Sequence, residues 1–309
     1  MRVIRQIIGT LATGYILMFY SEWLFWARVR PEDSLSGWIG AWLLYSIMGY
    51  VTLSVIARFR VVSIWALFLV GAVFGWLTEG LIVQTAYESL PLSLSFTGLA
   101  WHALITMWVG FYAVNKALRS AVHTTVTVAT VIGIAFGFWA ISWWVEPDGG
   151  VTHPADFALF TFATTLLLIV AYWTYSRTIP GVFKPSRLAD VLAAVLLLLY
   201  YIFVTIPAAG WTALILPVLL SGLFLTLRHN RRVEDRDSLL AGADAMGKAR
   251  NYLGLLALPL TATAIYSAAY FLGLRWQTNW IVYMIATPAG FILLAVACIK
   301  VRRMKPGVG

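Results

Sequence analysis

The chain has 309 residues, of which 61% are hydrophobic and only 11% are charged. Soluble domains carry about 25% charged residues, and a soluble fold cannot bury this much apolar surface because more than half of a folded surface stays exposed. The composition therefore excludes an ordinary soluble domain and predicts an all-α, polytopic integral membrane protein. The net charge of +9 does not indicate nucleic-acid binding, because the basic residues lie at the ends of apolar runs.

Ten apolar stretches follow one another along the chain, each close to the ~20 residues that a helix needs to cross a bilayer. The seventh and eighth are separated only by the turn at 207–210, and we predict two spans there because one helix would be far too long. The first stretch lacks a small-residue cleavage site, so we expect it to be retained as a span. The predicted spans are 3–27, 37–57, 62–84, 95–115, 124–145, 157–176, 188–208, 210–227, 253–272 and 279–300.

The basic residues predict the orientation of these spans. With the amino terminus inside and the spans alternating, 19 of the 22 basic residues lie on the inner side, and only Arg28, Arg30 and Arg275 lie outside. This bias predicts a multi-pass protein of the cell membrane with both termini cytoplasmic. The acidic residues collect on the opposite side, which favours cations or polar cationic solutes there, although an ordinary solvated surface is an equal alternative.

Three early spans share a sequence pattern. Gly14–Glu22 and Gly71–Glu79 each contain a leading glycine, an aromatic residue at the sixth position, a hydroxyl residue and a final glutamate. The segment 133–141 matches in its glycines and aromatics but ends in isoleucine. Because all three spans run in the same direction, the pattern predicts parallel helix-hairpin repeats rather than inverted ones. The predicted repeats cover residues 1–60, 61–122 and 123–185.

The longest predicted loop divides the chain. Residues 1–227 are expected to form a bundle of eight spans, and residues 253–309 two terminal spans with a basic cytoplasmic tail. Between them, 228–252 is predicted to be a cytoplasmic linker containing an interfacial helix, because apolar residues recur there at spacings of three and four.

Glu79 is the strongest candidate for a functional residue. Gly71, Gly75 and Glu79 are spaced four apart and therefore share one face of a helix, and this small-residue spacing is typical of close helix packing. The carboxylate is thus predicted to point into the bundle. A carboxylate within a membrane span is costly and indicates a function by default.

His102 is the predicted partner of Glu79. In the next span Gly98, His102, Thr106 and Gly110 again lie four apart, and counting from the outer end places His102 in the same layer as Glu79. Such a pair could carry a proton, bind a cation, or act as acid and base, whereas a histidine alone is as often a hydrogen-bonded core residue. The catalytic candidates, if the chain is an enzyme, are Glu79 and His102, and the substrate-binding candidates are Glu22, Glu79, His102, Thr106 and Glu88.

An oxygen-rich outer loop supplies the only metal candidates, which are Glu146, Asp148, His153 and Asp156. Such oxygen ligands suit hard cations, but the glycines and prolines of this loop also fit a plain turn. The single cysteine, Cys298, excludes a disulfide framework and any CxxC site. No cofactor is indicated by the sequence.

Three functions remain open, because the chain lacks HExxH, Walker A and GxSxG motifs. The first is a transporter of a small cationic or proton-coupled solute, which Pro217 and Pro288 favour because transporters use broken helices at their sites. The second is an intramembrane enzyme acting on a lipid or lipid-linked substrate at the outer leaflet. The third is a non-catalytic accessory subunit. The expected partners are the lipid bilayer and a small-molecule or lipid ligand.

Overall fold

A computed structural model describes residues 2–146, 149–234, 238–240 and 247–304. The described residues form long helices joined by short loops, with no strand among them. This arrangement confirms the predicted all-α helical bundle of a polytopic membrane protein.

Nine helical stretches within the described ranges are long and apolar enough to cross a membrane. Their bounds lie within a few residues of the predicted spans, except that the seventh stretch, Arg187–Val233, covers two of them. The helices are labelled α1 (Arg2–Trp26), α2 (Leu35–Arg58), α3 (Ile64–Ile82), α4 (Leu92–Leu118), α5 (Val122–Trp144), α6 (Pro154–Thr178), α7 (Arg187–Tyr200), α8 (Ile215–Val233), α9 (Ala249–Phe271) and α10 (Thr278–Arg302).

The loops alternate between two ends of the bundle. At the end that contains the start of α1, the Gln6 side chain donates to the Val182 carbonyl at 3.2 Å. The Asn251 side chain at the start of α9 donates to the Leu118 carbonyl at the end of α4, at 2.8 Å. We call this the near end, and the opposite end of the bundle the far end.

The seventh stretch begins and ends at the near end. Asp190 in its first turn pairs with Arg58 at the end of α2, and Asn230 in its last turns donates to the Phe59 carbonyl at 2.8 Å. Between these points Gly210 adopts φ 59° and ψ −137°, a conformation that glycine tolerates and that interrupts the helix. The chain therefore reverses there. By length and composition the described residues contain nine stretches that could span a membrane, because Arg187–Val233 counts as one. The ten spans expected from the sequence stay a prediction.

The α3 helix is the centre of the bundle and the most buried of the spans. It packs against α4, α8 and α10, and α9 packs against α5 and α6. The last two helices thus lie against helices of the first half of the chain. A polar side chain on α3 is consequently enclosed by protein rather than by lipid.

Three helices leave the α-helical pattern where candidate residues lie. Phe19–Trp23 in α1, Thr78–Ile82 in α3 and Phe96–Val114 in α4 are wound as π-helix. The first two segments contain the glutamates of the predicted repeat and the third contains His102. Such π-helical segments occur frequently at functional sites because they change the direction in which side chains point.

The predicted linker at 228–252 falls partly on residues 235–237 and 241–246, which lie outside the described residues. The carboxyl-terminal end of the predicted linker is described, and there the short helix Ala249–Gly254 forms the first part of α9. The predicted repeats and domain limits stay predictions.

Candidate functional site

The site begins with a close approach of α3 and α4. A side-chain carbon on Gly71 would lie 2.7 Å from Cα of Ala103, and one on Gly75 would collide with the Gly98 carbonyl. The two glycine-containing stripes predicted from the sequence therefore face each other. This contact brings the residue one turn beyond Gly75 against His102.

Glu79 and His102 form a direct hydrogen bond. Oε1 of Glu79 lies 2.6 Å from Nε2 of His102. Only 9% of Glu79 and 2% of His102 are exposed, and the ring of Phe74 packs edge-on against the imidazole. The juxtaposition predicted from helix spacing is present, and the pair is buried.

The loop between α3 and α4 closes over this pair from the far end. The Thr85 hydroxyl donates to Oε2 of Glu79, so both carboxylate oxygens have a partner. Tyr87 lies in the same loop, where burial raises the pKa of its phenol to about 12. The loop therefore caps the pair.

The hydrogen-bonded chain continues from His102 into α1. Nδ1 of His102 lies 3.0 Å from the Ser21 hydroxyl, which lies 3.2 Å from the Thr106 hydroxyl. Ser21 and Thr106 are both buried. Four side chains from α1, α3 and α4 thus form one continuous chain from Thr106 to Glu79.

Glu22 is the more accessible of the two glutamates. Its carboxylate accepts from the Tyr45 hydroxyl at 2.6 Å and from the Trp26 indole at 3.1 Å. It lines two cavities. One, of about 170 Å³, also touches Tyr45 and Thr78, the residue that precedes Glu79. The other, of about 210 Å³, opens at the far end.

The far-end cavity beside Glu22 carries mixed charge. Arg30 pairs with Asp33 at 2.8 Å, and its guanidinium lies 4.2 Å from the centre of the Trp26 ring. Arg28 and Glu32 also line this cavity. A solute that reached Glu22 through it would therefore pass a polar lining of both signs.

The remaining candidates are placed differently. Thr106 belongs to the buried chain, whereas Glu88 is exposed on the loop and is not part of it. Tyr45 and Thr85 hold the two glutamates but were not singled out from the sequence. A tyrosine in an apolar run and a threonine in a loop carry no periodic signal, so only the folded arrangement identifies them.

The proposed metal ligands do not converge in the described part of the chain. Among the described residues no three histidine, cysteine or acidic side chains are grouped to hold an ion. His153 instead accepts from the Ala155 backbone N–H at 3.2 Å and caps α6, and Asp156 is exposed in the first turn of that helix. Asp148 lies outside the described residues. The start of α6 at Pro154 lies between Glu146 and Asp156 in the sequence.

Comparison with protein-family models, with curated proteins and with solved structures finds no match.

The geometry favours storage and movement of a proton over attack on a substrate. Both imidazole nitrogens and both oxygens of Glu79 are engaged by neighbouring side chains. An acid or base acting on a substrate needs a free position within hydrogen-bond reach of it. A hydroxyl such as that of Ser21 can donate or accept, so the imidazole can gain a second proton without losing a partner.

Proposed function

We propose that this protein is a membrane transporter that couples the movement of a small cationic solute to protons. The observation that carries the proposal is the buried hydrogen bond between Glu79 and His102, which continues through Ser21 to Thr106. Ionisable groups inside a membrane bundle mark ion pathways and proton relays. Glu22, which lies in the adjacent cavities, is the carboxylate that meets the solute.

The direction of the hydrogen bonds supports a proton site. With an ionised Glu79, the His102 Nε2–H donates to the carboxylate and Nδ1 accepts from Ser21. When the imidazole takes a second proton, Nδ1–H donates to the same hydroxyl. Protonation thus changes the charge of the pair while every heavy atom keeps its partner, which is what a reversible proton carrier needs.

The topology completes the proposal. We infer ten passes, because the chain reverses at Gly210 within the seventh stretch, and we place both termini in the cytoplasm because 19 of the 22 basic residues then lie inside. The far end, with Glu22 and its cavity, then faces outward. An electronegative outer face draws cations toward that cavity.

The orientation is tested with single cysteines. In a Cys298→Ser background, cysteine at Glu32 should react with an impermeant maleimide in intact cells. Cysteine at Ser120 should react only after the cells are opened. The reverse pattern, or equal labelling at both positions, would contradict the proposed orientation.

The transport proposal is tested in proteoliposomes that contain a pH-sensitive dye. Alkali, divalent and organic ammonium cations are added outside in turn, and the internal pH is followed. We expect at least one cation to drive a proton flux. Glu79→Gln should reduce that flux by about tenfold or more, since a neutral amide does not stabilise the protonated imidazole of His102. Glu88→Gln serves as the control. It changes an exposed carboxylate three residues after Thr85 in the same loop, and it should leave the flux unchanged.

Two results would contradict this function. One is the absence of proton flux with every cation tested. The other is an undiminished flux in the Glu79→Gln variant, because the buried pair would then have no part in coupling.

A second function is favoured by a separate apolar cavity. This cavity, of about 450 Å³, lies between α1, α2 and α6 and shares Trp23 and Trp38 with the polar cavity beside Glu22. The indole N–H groups of both tryptophans are buried without a partner. An amphiphile with its acyl chain in the apolar cavity could accept these hydrogen bonds through ester carbonyls, so an enzyme acting on a lipid or lipid-linked substrate is the alternative.

Mass spectrometry of the purified protein distinguishes the alternative. A lipid-processing enzyme should retain one lipid class that is lost in the Trp38→Phe variant, and it should turn that lipid over in a His102-dependent reaction. A lipid that is retained but never converted would contradict the enzyme. The polar cavities beside Glu22 count against a purely accessory subunit, which would need none.

A further inference from the structure

A third cavity at the far end has the composition of a cation-binding site. It has a volume of about 450 Å³ and lies between the end of α1, the start of α4, the end of α5 and the start of α10. Among the described residues, its lining includes one carboxylate, Glu146, and no lysine or arginine. Its aromatic members are Phe25, Phe96, Trp139, Trp143, Trp280 and Tyr283. We call this the aromatic cavity.

The two central tryptophans present ring surface rather than polar atoms to the aromatic cavity. The indole N–H groups of Trp139 and Trp143 both donate to the Phe25 carbonyl, at 2.5 and 2.9 Å. The indole N–H is the only polar group of the side chain, so neither tryptophan offers a hydrogen-bond donor to a ligand in the aromatic cavity. The rings of Trp139 and Trp143 are perpendicular, with centres 6.5 Å apart, and therefore form two walls of a corner.

The opposite wall comes from α4 and α10. The ring centres of Phe96 and Tyr283 are 4.9 Å apart, and those of Trp280 and Tyr283 are 6.0 Å apart. Trp280 is 58% exposed, so it forms the rim through which a ligand enters. Aromatic faces around one cavity attract a cation through their ring quadrupoles, and quaternary ammonium groups are bound in this way.

Glu146 supplies the charge that such a ligand requires. Its Oε1 accepts from the Asn279 side-chain amide, and the Asn279 oxygen in turn accepts from the Trp280 backbone N–H at 2.9 Å. Asn279 thus orients the carboxylate without neutralising it. No described lysine, arginine or histidine forms an ion pair with Glu146.

We propose that the aromatic cavity binds an organic cation that carries a quaternary ammonium group, with Glu146 as its counter-ion and the aromatic side chains of the lining as its walls. The aromatic cavity is separate from the buried Glu79–His102 pair and does not depend on the function proposed for that pair. It is nevertheless adjacent to Glu22, since Trp26 donates to Glu22 and stacks on Trp143 with ring centres 4.9 Å apart.

The nearest competing cation is Arg28. Its guanidinium carbon lies 5.7 Å from the centre of the Trp143 ring, yet Arg28 is not among the residues that line the aromatic cavity. Trp143 is thus already stacked on Trp26 and lies beneath Arg28, so a bound ammonium ion would lie near Arg28 without replacing it. We therefore expect Arg28→Gln to tighten binding, because a like charge is removed.

The experiment measures binding of choline and tetramethylammonium to the protein in nanodiscs of phosphatidylglycerol, which contains no quaternary ammonium group. Calorimetry or tryptophan fluorescence reports the affinity. We expect saturable binding of both cations and none of 3,3-dimethyl-1-butanol, the neutral analogue of choline with the same shape. Glu146→Gln should weaken binding about tenfold or more through loss of the counter-ion.

Matched controls separate the aromatic cavity from general surface effects. Trp280→Ala should weaken binding severalfold, whereas Trp276→Ala, which removes a similarly exposed tryptophan outside the aromatic cavity, should not. Glu88→Gln should likewise bind choline normally. Folding of each variant is checked by its elution and thermal unfolding. Trp280 and Trp276 are both exposed enough for truncation to be tolerated.

The source of the cation is distinguished by changing the lipid. If the ligand is a lipid headgroup, adding phosphatidylcholine to the nanodiscs should weaken choline binding in competition. If it is a free solute, the lipid should have no effect. Either result supports an ammonium site.

Three results would overturn the proposal: absence of saturable binding, equal binding of the neutral analogue, or an unchanged affinity in Glu146→Gln. None of these measurements involves transport, so a negative binding result would leave the proposed transport function untouched, and the reverse also holds.

Discussion

Removing the His102 side chain should lower the free energy of unfolding more than neutralising Glu79 does. In His102→Ala, the carboxylate of Glu79 keeps the Thr85 hydroxyl but stays only 9% exposed. An unpaired charge left in such a place costs about 3–5 kcal/mol. Glu79→Gln retains a hydrogen-bonding group opposite the imidazole and should cost about 1 kcal/mol.

The double variant makes this prediction specific. Combining Glu79→Gln with His102→Ala removes the buried charge together with its partner, so it should be more stable than His102→Ala alone by about 2 kcal/mol. The assay is unfolding in mixed micelles with increasing denaturing detergent, followed by tryptophan fluorescence. Two results would refute the view that His102 stabilises a buried charge on Glu79. One is a double variant whose loss of unfolding free energy equals the sum of the two single losses. The other is a loss in His102→Ala no larger than that in Glu79→Gln.

Three further changes have clear expected outcomes in the same unfolding assay. Gly75→Ala should destabilise the protein by about 1–3 kcal/mol because the added carbon collides with the Gly98 carbonyl. The control Gly222→Ala, with open space around it, should be neutral or slightly stabilising. Equal effects of the two changes would contradict the close approach of α3 and α4. Asn230→Ala should cost about 1–3 kcal/mol, because it removes a buried side chain that donates to the Phe59 and Arg60 carbonyls. Asp190→Asn, which weakens a half-exposed ion pair, should cost less than about 1 kcal/mol.

The sequence predicted the central contact because spacing alone identifies a helix face. Gly71, Gly75 and Glu79 recur every four residues, as do Gly98 and His102, and small residues let two such faces approach. The composition likewise predicted the bundle, since a bilayer sets the length of every span. These signals are local to one helix and can be read without knowing its neighbours.

The rest of the site depends on which helices are neighbours. Tyr45 reaches Glu22 from α2, and Ser21 reaches His102 from α1, across pairs of helices whose packing no spacing rule specifies. The π-helical segments also change the register of α1, α3 and α4, so a period of 3.6 residues no longer predicts which side chains point together. The oxygen-rich loop illustrates the same limit, because its described acidic and histidine side chains are not grouped to hold an ion although they are close in sequence.

The near-end hydrogen bonds impose an order on biogenesis. The carbonyls at the ends of α2 and α4 are satisfied by Asn230 and Asn251, which the ribosome makes more than a hundred residues later. Until those segments arrive, the inserted early helices have helix-terminal carbonyls that only water or lipid headgroups can satisfy. The first half of the chain is thus an unfinished intermediate during synthesis, and its final packing is postponed until translation of α8 and α9 is complete.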